Sequence, residues 1–555
     1  MLQVSNISKR YGDVRVLRDV SFKLSPNDHA GLIGPNGCGK TTLLRILVGA
    51  ETAGAGSVQR NPPTATIGYL EQGLIFKEDD TLDTILRHIE IEMEKLEDKI
   101  ALLGVQLSIA QGENQDEILK VYGEALSQLE ALSIRQIPMY QAEDILDGLG
   151  LGTIPLETPV KQLSGGQKTR LGLARILLAN PDMLILDEPT NHLDIRALEW
   201  LEDWIQRYKQ AIIIVSHDRT FLDRTVNVIF DLDPLTHSIQ TYPGNYSDYI
   251  HAKQNEINRH WEAYNAQQER IEKLQGESRR LSGYANSIEH GTIDFAPRKV
   301  AKGIARRATV QRKRIERELA EEHIEKPRQT WHMKLDFIDT PLSGNDVLIC
   351  DELSIGYGSQ PLVTGINQII QQGERIALIG PNGCGKTTFM RTVANQLSPI
   401  SGFFRLGENV SLGYFSQEQE NLPPSATPFS VIRAVASISD TDIRSFLHFF
   451  LFSGDDVFLP IHSLSYGERA RLVLARLVAS DCNLLLLDEP INHLDIPSRS
   501  GFEQAMTAFE GTVLTVVHDR YFIRNFATRL WVIENGTLSN YLDLDEYKRL
   551  QDRRS

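Results

Sequence analysis

The sequence predicts an α/β protein in which one parallel-sheet domain occurs twice, with a helical hairpin between the copies. Three observations carry this. The segment GLIGPNGCGKTT, Gly31 to Thr42, returns almost unchanged as ALIGPNGCGKTT, Ala377 to Thr388. Short apolar runs such as Ala211 to Val215 and Leu484 to Leu487 have the length and composition of buried parallel strands. Between the copies, apolar residues recur at spacings of three and four, the period of a helix.

The register of the repeat sets the domain plan. Tyr11 and Tyr357 are 346 apart, as are Lys40 and Lys386, and Gln72 and Gln417 are 345 apart. Ser164 and Ser465, Glu188 and Glu489, and His217 and His518 are each 301 apart. The fall in offset puts about 44 extra residues in the first copy, between Gln72 and Ser164. The segment Thr84 to Leu132, rich in Glu, Leu, Ile and Ala and broken by GENQ near residue 112, fills that gap. It reads as a helical hairpin arm, or equally as an enlarged helical subdomain. The copies are expected at 1–248, with the arm at about 84–132, and at 347–542, with a short tail at 543–555.

The linker, 249–327, differs in composition. Residues 251 to 330 carry 17 Lys/Arg against 12 Asp/Glu, a net of +5 in a chain whose formal net charge is −15. One helical series is Ile257, Trp261, Tyr264 and Ile271, and a second is Val300, Ile304, Ala308, Ile315 and Leu319. SIEHGTIDFAPR, with Gly291 and Pro297, lies between them and predicts the tip of two antiparallel helices. Pro327 ends the second helix, and 328–346 is a connector.

Composition bounds the function. A chain of 555 residues, 41% hydrophobic and 24% charged, is neither disordered nor collagen-like, and its length suits two to four domains. The acidic balance argues against a chain-wide grip on nucleic acid and leaves room for a local one. Cys38, Cys350, Cys384 and Cys482 form no CxxC pair, so neither a zinc site nor a disulfide framework is indicated, and the expected compartment is the reducing cytoplasm. The opening MLQVSNISKRYG has no apolar signal region. The apolar runs fall short of the roughly 18 residues a membrane span needs, so any membrane role would require a separate chain.

The repeated segment carries the chemistry. Gly34, Pro35, Asn36, Gly37, Cys38, Gly39, Lys40, Thr41 and Thr42 form GxxxxGKT after an apolar strand. Gly380, Pro381, Asn382, Gly383, Cys384, Gly385, Lys386, Thr387 and Thr388 repeat it. Such glycines let backbone N–H groups close around a phosphate, and the helix that follows points its positive end at the same anion. The lysine reaches the β- and γ-phosphates, and Thr41 or Thr387 holds Mg²⁺. Cys38 and Cys384 occupy a variable loop position and read as packing residues. The strands MLILDE and LLLLDE end in Asp187–Glu188 and Asp488–Glu489. The aspartate suits the metal, and the glutamate is placed to accept a proton from attacking water. Apolar strands ending in His217 and His518 follow 29 residues after each glutamate, as γ-phosphate sensors. LSGGQ (Leu163, Ser164, Gly165, Gly166, Gln167) and LSYGE (Leu464, Ser465, Tyr466, Gly467, Glu468) each open a basic helix and offer a second phosphate cradle.

In this order the motifs resemble those of the ATP-binding-cassette family: aromatic, Walker A, Gln loop, signature, Walker B and His, twice over. The tandem arrangement, the long charged linker and the strings DEPTNHLD (Asp187 to Asp194) and DEPINHLD (Asp488 to Asp495) are similar to those of its F subfamily. The resemblance implies two P-loop NTPase ABC-type cassettes in tandem, joined by a helical-hairpin linker, in a soluble ATPase with ATP and Mg²⁺. It implies that Tyr11 and Tyr357 stack on adenine, and that Gln72 and Gln417 touch the metal and the nucleophilic water. It implies a monomer whose cassettes pair head to tail through Asp194 and Asp495. One site would join Lys40, Asp187, Glu188 and His217 to Ser465 and Gly467. The other would join Lys386, Asp488, Glu489 and His518 to Ser164, Gly165 and Gly166. Two departures stand out: Tyr466 replaces the Gly165 of the first copy, and Ile491 replaces Thr190.

From Arg298 to Arg317 nine basic residues face one acid, Glu316. Arg298, Lys299, Lys302, Arg306, Arg307, Arg312, Lys313 and Arg314 suit an RNA backbone, or a solvated face paired with acids of the first linker helix. With the resemblance, they imply a partner in the ribosome, rRNA and tRNA, and a role as a translation factor or in antibiotic resistance by ribosome protection. The alternative is the fused ATP-binding subunit of a transporter, against which the 98 residues between copies and the basic hairpin argue. A DNA-repair or chromosome-structuring ATPase fits least, for want of zinc cysteine pairs and a long coiled coil.

Overall fold

The structure, a computed structural model, describes residues 2–553 except 72–75, 77–79, 110–112, 136, 192, 292–301, 303, 308, 311, 314–316, 318–323, 327–342, 417–421, 437, 451, 453, 465, 481 and 492–493. The chain divides into two compact units, one of Met1–Tyr246 with His332–Ser555 and one of Ser247–Trp331.

The larger unit holds both copies. In the first, β3 (His29–Ile33), β5 (Ile67–Leu70), β6 (Met183–Asp187), β7 (Ala211–Val215), β8 (Val228–Leu232) and β9 (Ile239–Pro243) form a sheet of order β5-β6-β7-β3-β8-β9. All its pairings are parallel except β8 with β9. β6 and β7 are buried along their whole length, which explains their unbroken apolar sequences. β1 (Leu2–Tyr11), β2 (Val14–Leu24) and β4 (Ala55–Arg60) make an antiparallel sheet of order β2-β1-β4 that shares one core with the first.

The second copy repeats this with β10 (Asp346–Tyr357), β11 (Gln360–Gln371), β12 (Arg375–Ile379), β13 (Ser401–Leu406), β14 (Leu412–Phe415), β15 (Leu484–Asp488), β16 (Thr512–Val516), β17 (Arg529–Glu534) and β18 (Thr537–Tyr541). Its sheets run β14-β15-β16-β12-β17-β18 and β11-β10-β13. The order matters for chemistry. β6, β7 and β3 are neighbours and parallel, so their carboxyl ends deliver an acidic pair, a histidine and a glycine loop to one edge.

In the extra segment of the first copy the helices Leu82–Leu86, His88–Ile109 and Glu113–Arg135 succeed one another, and the latter two pack together. The smaller unit contains most of a 46-residue helix, Tyr246–Gly291. Ile271 is buried on it, and Trp261 meets Tyr264 edge-on, with ring centroids 6.0 Å apart. The helix includes Ser287–Gly291, which the sequence reading gave to the tip loop, because SIEH favours no turn over helix; residues 292–301 lie outside the described ones. Ile324 N donates to Gln267 Oε1 at 3.0 Å, so the chain returns beside this helix. Of the second series only Ile304 lies among the described residues, and Val300, Ala308, Ile315 and Leu319 lie outside them. Among the described residues no helix is long and apolar enough to cross a membrane.

Candidate functional site

The glycine loop of the first cassette runs from β3 into the helix Lys40–Val48. Gly39 is the residue before that helix, at φ 110°, and no side chain caps it. A Cβ there would lie 2.6 Å from Val16 Cγ1, so glycine is required both for the turn and for the fit. The uncapped N–H groups are left pointing out of the helix end, a cradle for an anion. Lys40 is buried, and its Nζ donates to the carbonyls of Gly34 at 2.7 Å and Pro35 at 3.0 Å. Lys386 does the same with Gly380 at 2.8 Å and Pro381 at 3.0 Å. Burial pushes the Cys38 and Cys384 thiols up, so neither is a ready nucleophile.

Strand pairing brings the acids to this loop. Thr41 Oγ1 donates to Asp187 Oδ2 at 3.0 Å, although 146 residues separate them. Glu188 and Glu489, the next residues, adopt left-handed backbone with φ of 53° and 52°, a strain carried at both strand ends. Their N–H groups donate to Val215 and Val516 carbonyls at 2.9 and 3.0 Å. His217 Nε2 stands 3.3 Å from Glu188 Oε1 and 3.2 Å from Asn36 Oδ1. In the second cassette His518 Nε2 is 3.7 Å from Glu489 Oε1.

These carboxylates are short of positive partners. Burial pushes Glu188 up to about 7, against the opposing charges of Arg499 and Lys40. Burial and the neighbouring Glu489 push Asp488 up to about 6. Asp187 is raised too, by burial, against its Thr41 hydrogen bond and Lys40. Both oxygens of Asp488 are buried, with no well-formed hydrogen bond among the described residues and with the Thr387 hydroxyl as a polar neighbour. A hydroxyl beside a buried carboxylate is an oxygen-only donor set that fits a hard divalent cation such as Mg²⁺.

A cavity of about 470 Å³ lies over this edge, lined by Asn36, Lys40, Thr41, Asp187, Glu188 and His217, and by Gly467 from the second cassette. Val16, Asn191 and Val215 line it as well. Sequence reading missed these three; Asn191 sits inside DEPTNHLD, but no motif marks the other two. Tyr11 does not line the cavity: its hydroxyl donates to Glu51, and Lys9 Nζ sits 5.2 Å from its ring centre. Tyr357 Oη accepts from Thr388 Oγ1 at 3.5 Å, next to the second glycine loop. Ser164 and Gln167 hold each other in a reciprocal cap at the start of the helix Gly165–Leu178, with distances of 2.9 and 3.2 Å. Gln72, Gln417 and Ser465 lie outside the described residues.

The two cassettes meet across a charged seam. Asn36 N donates to Asp495 Oδ2 at 3.1 Å, and Asn382 N to Asp194 Oδ2 at 3.3 Å, so each glycine loop is held by an acid of the opposite cassette. Arg219 reaches Glu503 at 3.0 Å and Ser500 Oγ at 2.8 Å. Its counterpart Arg520 grips both oxygens of the fully buried Glu202, which Arg224 also meets at 3.0 Å. The copies differ beneath the seam. Thr190 and Ser216 share a 3.0 Å hydrogen bond, whereas Ile491 and Val517 replace them with buried apolar contact.

A family model described as "ABC transporter" matches residues 17–191 and 363–492, and a second of the same description matches 235–337. The chain is 38% identical to the putative ATP-binding protein YdiF of Bacillus subtilis, over 99% of this chain and 82% of that one. It is 34% identical to ABC transporter F family member 2 of Arabidopsis thaliana, over 97% and 77%. The same identity, over 99% and 81%, relates it to the probable ATP-binding protein YheS of Escherichia coli. Among solved structures, archaeal ribosome recycling factor aABCE1, solved with ribosomal stalk protein aP1, has the same fold, with a TM-score of 0.58 at 19% identity over 99% of this chain and 92% of that one.

Two outcomes follow from the geometry. Glu188 is a carboxyl whose folded value lies above its unfolded one, so the native state holds its proton more tightly. Its cost is absent below about pH 4.5 and grows as pH rises towards 7. Glu188→Gln should therefore raise the thermal midpoint of the nucleotide-free protein at pH 8, by the equivalent of about 3 kcal/mol, and by under about 1 kcal/mol at pH 5. Melting curves across that range check it. Glu202→Ala removes the carboxylate that the buried Arg520 grips, leaving it Glu199 at 3.5 Å, and should cost up to about 3–5 kcal/mol, part of which Arg520→Leu in the same chain should restore. Melting of the single and double variants reads this out.

Proposed function

The chain belongs to the F family of ATP-binding-cassette proteins, and from that premise we propose that it acts on the ribosome, reading ATP through two sites at the cassette seam and delivering the result through its linker. It is an ATPase with two tandem cassettes. The observation that carries the first part of the proposal is the crossing of loops: the phosphate cradle of each cassette is held by a carboxylate of the other.

In the first site, the Lys40 ammonium leaves the loop carbonyls for the β- and γ-phosphates, which offer it full negative charge. Thr41 and Asp187 hold Mg²⁺, whose charge, when bound, offsets that of the phosphate oxygens. Glu188, raised by burial, takes the proton of the attacking water while His217 fixes its carboxylate from 3.3 Å. Gly467 closes the cavity from across the seam. Lys386, Thr387, Asp488, Glu489 and His518 take the same roles in the second site, with Ser164, Gly165 and Gly166 facing it. A γ-phosphate that touches both cassettes favours their closed pairing, and its loss removes that preference.

The linker supports the second part. Lys302, Arg306, Arg307, Arg312 and Lys313 are exposed on helical backbone, and with Arg298, Lys299 and Arg314, which lie outside the described residues, they make a cationic run in an acidic protein. Such a run suits the phosphates of rRNA or tRNA. That aABCE1, a protein of the same fold, is named an archaeal ribosome recycling factor and was solved with a ribosomal stalk protein supports the ribosome as the source of that RNA over a membrane partner. The role is that of a translation factor or a ribosome protection protein.

The test is a trap. Glu188→Gln with Glu489→Gln should hold ATP and co-sediment with ribosomes only when ATP is present, with hydrolysis reduced at least about a hundredfold. Removing residues 286–317 should abolish co-sedimentation while leaving ATP binding in place. Sedimentation indifferent to ATP, or to the linker, would overturn the ribosomal reading.

A further inference from the structure

The seam contains a buried arginine that breaks its two-fold pattern. At the 301-residue offset that relates the two copies here, Leu198 corresponds to Arg499. Leu198 is an ordinary buried apolar residue on the helix Ile195–Arg207. Arg499 is equally buried, yet its charge is fully engaged. Its Nη1 meets Asp519 Oδ2 at 3.2 Å, and its Nε donates to the carbonyl of Leu494 at 3.0 Å. Its backbone N–H donates to the Asp495 carbonyl at 2.8 Å.

The three partners belong to different sites. Asp519 follows His518, so it belongs to the arm that senses the second nucleotide. Leu494 and Asp495 form the loop whose carboxylate holds Asn36 N, in the cradle of the first nucleotide. The guanidinium also stands where its charge acts on Glu188, the first site's proton acceptor, more strongly than any other cation. The backbone bond recurs in the first copy, where Leu198 N donates to the Asp194 carbonyl at 2.9 Å, but among the described residues the side-chain bonds do not. Asp218 follows His217 and accepts from Phe221 N at 2.9 Å, as Asp519 does from Phe522 N at 2.9 Å, but a leucine side chain offers Asp218 no hydrogen bond.

We propose that Arg499 is a positioning residue that ties the histidine arm of the second ATP site to the loop bracing the first, so that the first site alone depends on a contact made in the second. This rests on the site assignment proposed above. The first copy serves as an internal control. Its histidine arm is held by the same helix-start hydrogen bond, and among the described residues no arginine hydrogen-bonds its Asp218, so the second site should keep its arm when Arg499 is lost. The first site should not keep its brace, because the loop Leu494–Asp495 loses the donor that fixes its carbonyl. Lost geometry at a cradle already filled with nucleotide appears in turnover more than in apparent affinity.

The two sites can be read separately in single Glu→Gln backgrounds of the full chain. With Glu489→Gln only the first site turns over; with Glu188→Gln only the second does. Arg499→Leu should lower kcat about tenfold in the Glu489→Gln background, with KM within about twofold, and change the Glu188→Gln background by less than about twofold. Arg499→Lys keeps a charge towards Asp519 and should recover most of the lost turnover. Equal losses in both backgrounds, a change in KM alone, or a lysine variant no better than leucine would overturn the proposal. If Arg499→Leu does not fold, Arg499→Gln takes its place in the same comparison, with the same outcomes. Hydrolysis surviving in the double Glu→Gln protein would defeat the site assignment itself. Single variants that each turn over ATP but respond alike to Arg499→Leu would defeat only this inference.

Discussion

Two arginines, Arg219 and Arg520, carry their charge across the seam, and both phosphate cradles depend on where that exchange puts the cassettes. Each arginine lies two residues beyond a histidine at the end of a buried strand. Each reaches the helix that the opposite cassette starts with Asp194 or Asp495. Fixing the helix fixes its first residue, and that aspartate holds the glycine loop of the arginine's own cassette. Arginine suits the task because its planar fork binds a carboxylate and a second acceptor together, as Arg219 does with Glu503 and Ser500. Desolvation offsets much of the attraction within such a buried pair, so it constrains position without adding much net stability.

The same seam gathers acid. Burial and the approach of Asp519 raise Asp218, and the two are answered by Arg499 and Arg520. At the strand ends, Asp488 and Glu188 are buried with less compensation. An assembly of this kind is incomplete without cations and phosphate. On the proposed reading, that incompleteness couples nucleotide to closure: the ligand supplies charge that the protein leaves unbalanced, and it does so only where the cassettes meet.

Much of this was legible in the chain because the relevant residues sit at strand ends. A parallel strand buried on both faces must read as an apolar run, so MLILD, LLLLD and AIIIV announce their own termini, and the polar residue that follows each must face the sheet edge. Thr41 and Asp187 meet for this reason alone. What the sequence hid was set by packing between elements. Val16 enters the cavity because β2 passes beside the glycine loop, and no local pattern encodes that approach. Arg499 lies on a helix that reads as amphipathic, and only its partner 20 residues on, in a different element, shows that the charge points inward. The linker helix runs further than its sequence suggests because SIEH is neutral between helix and turn.

The exchange of Thr190–Ser216 for Ile491–Val517 has an evolutionary consequence. Each half of the pair is sound only with its own mate. Valine facing Thr190 would leave a threonine hydroxyl without its partner, at about 1–3 kcal/mol, and Ser216 facing isoleucine would keep only the bond it accepts from Asp218 N. The two halves are therefore not interchangeable at this position: copying one strand from its twin without the other would leave the recipient with a mismatched pair.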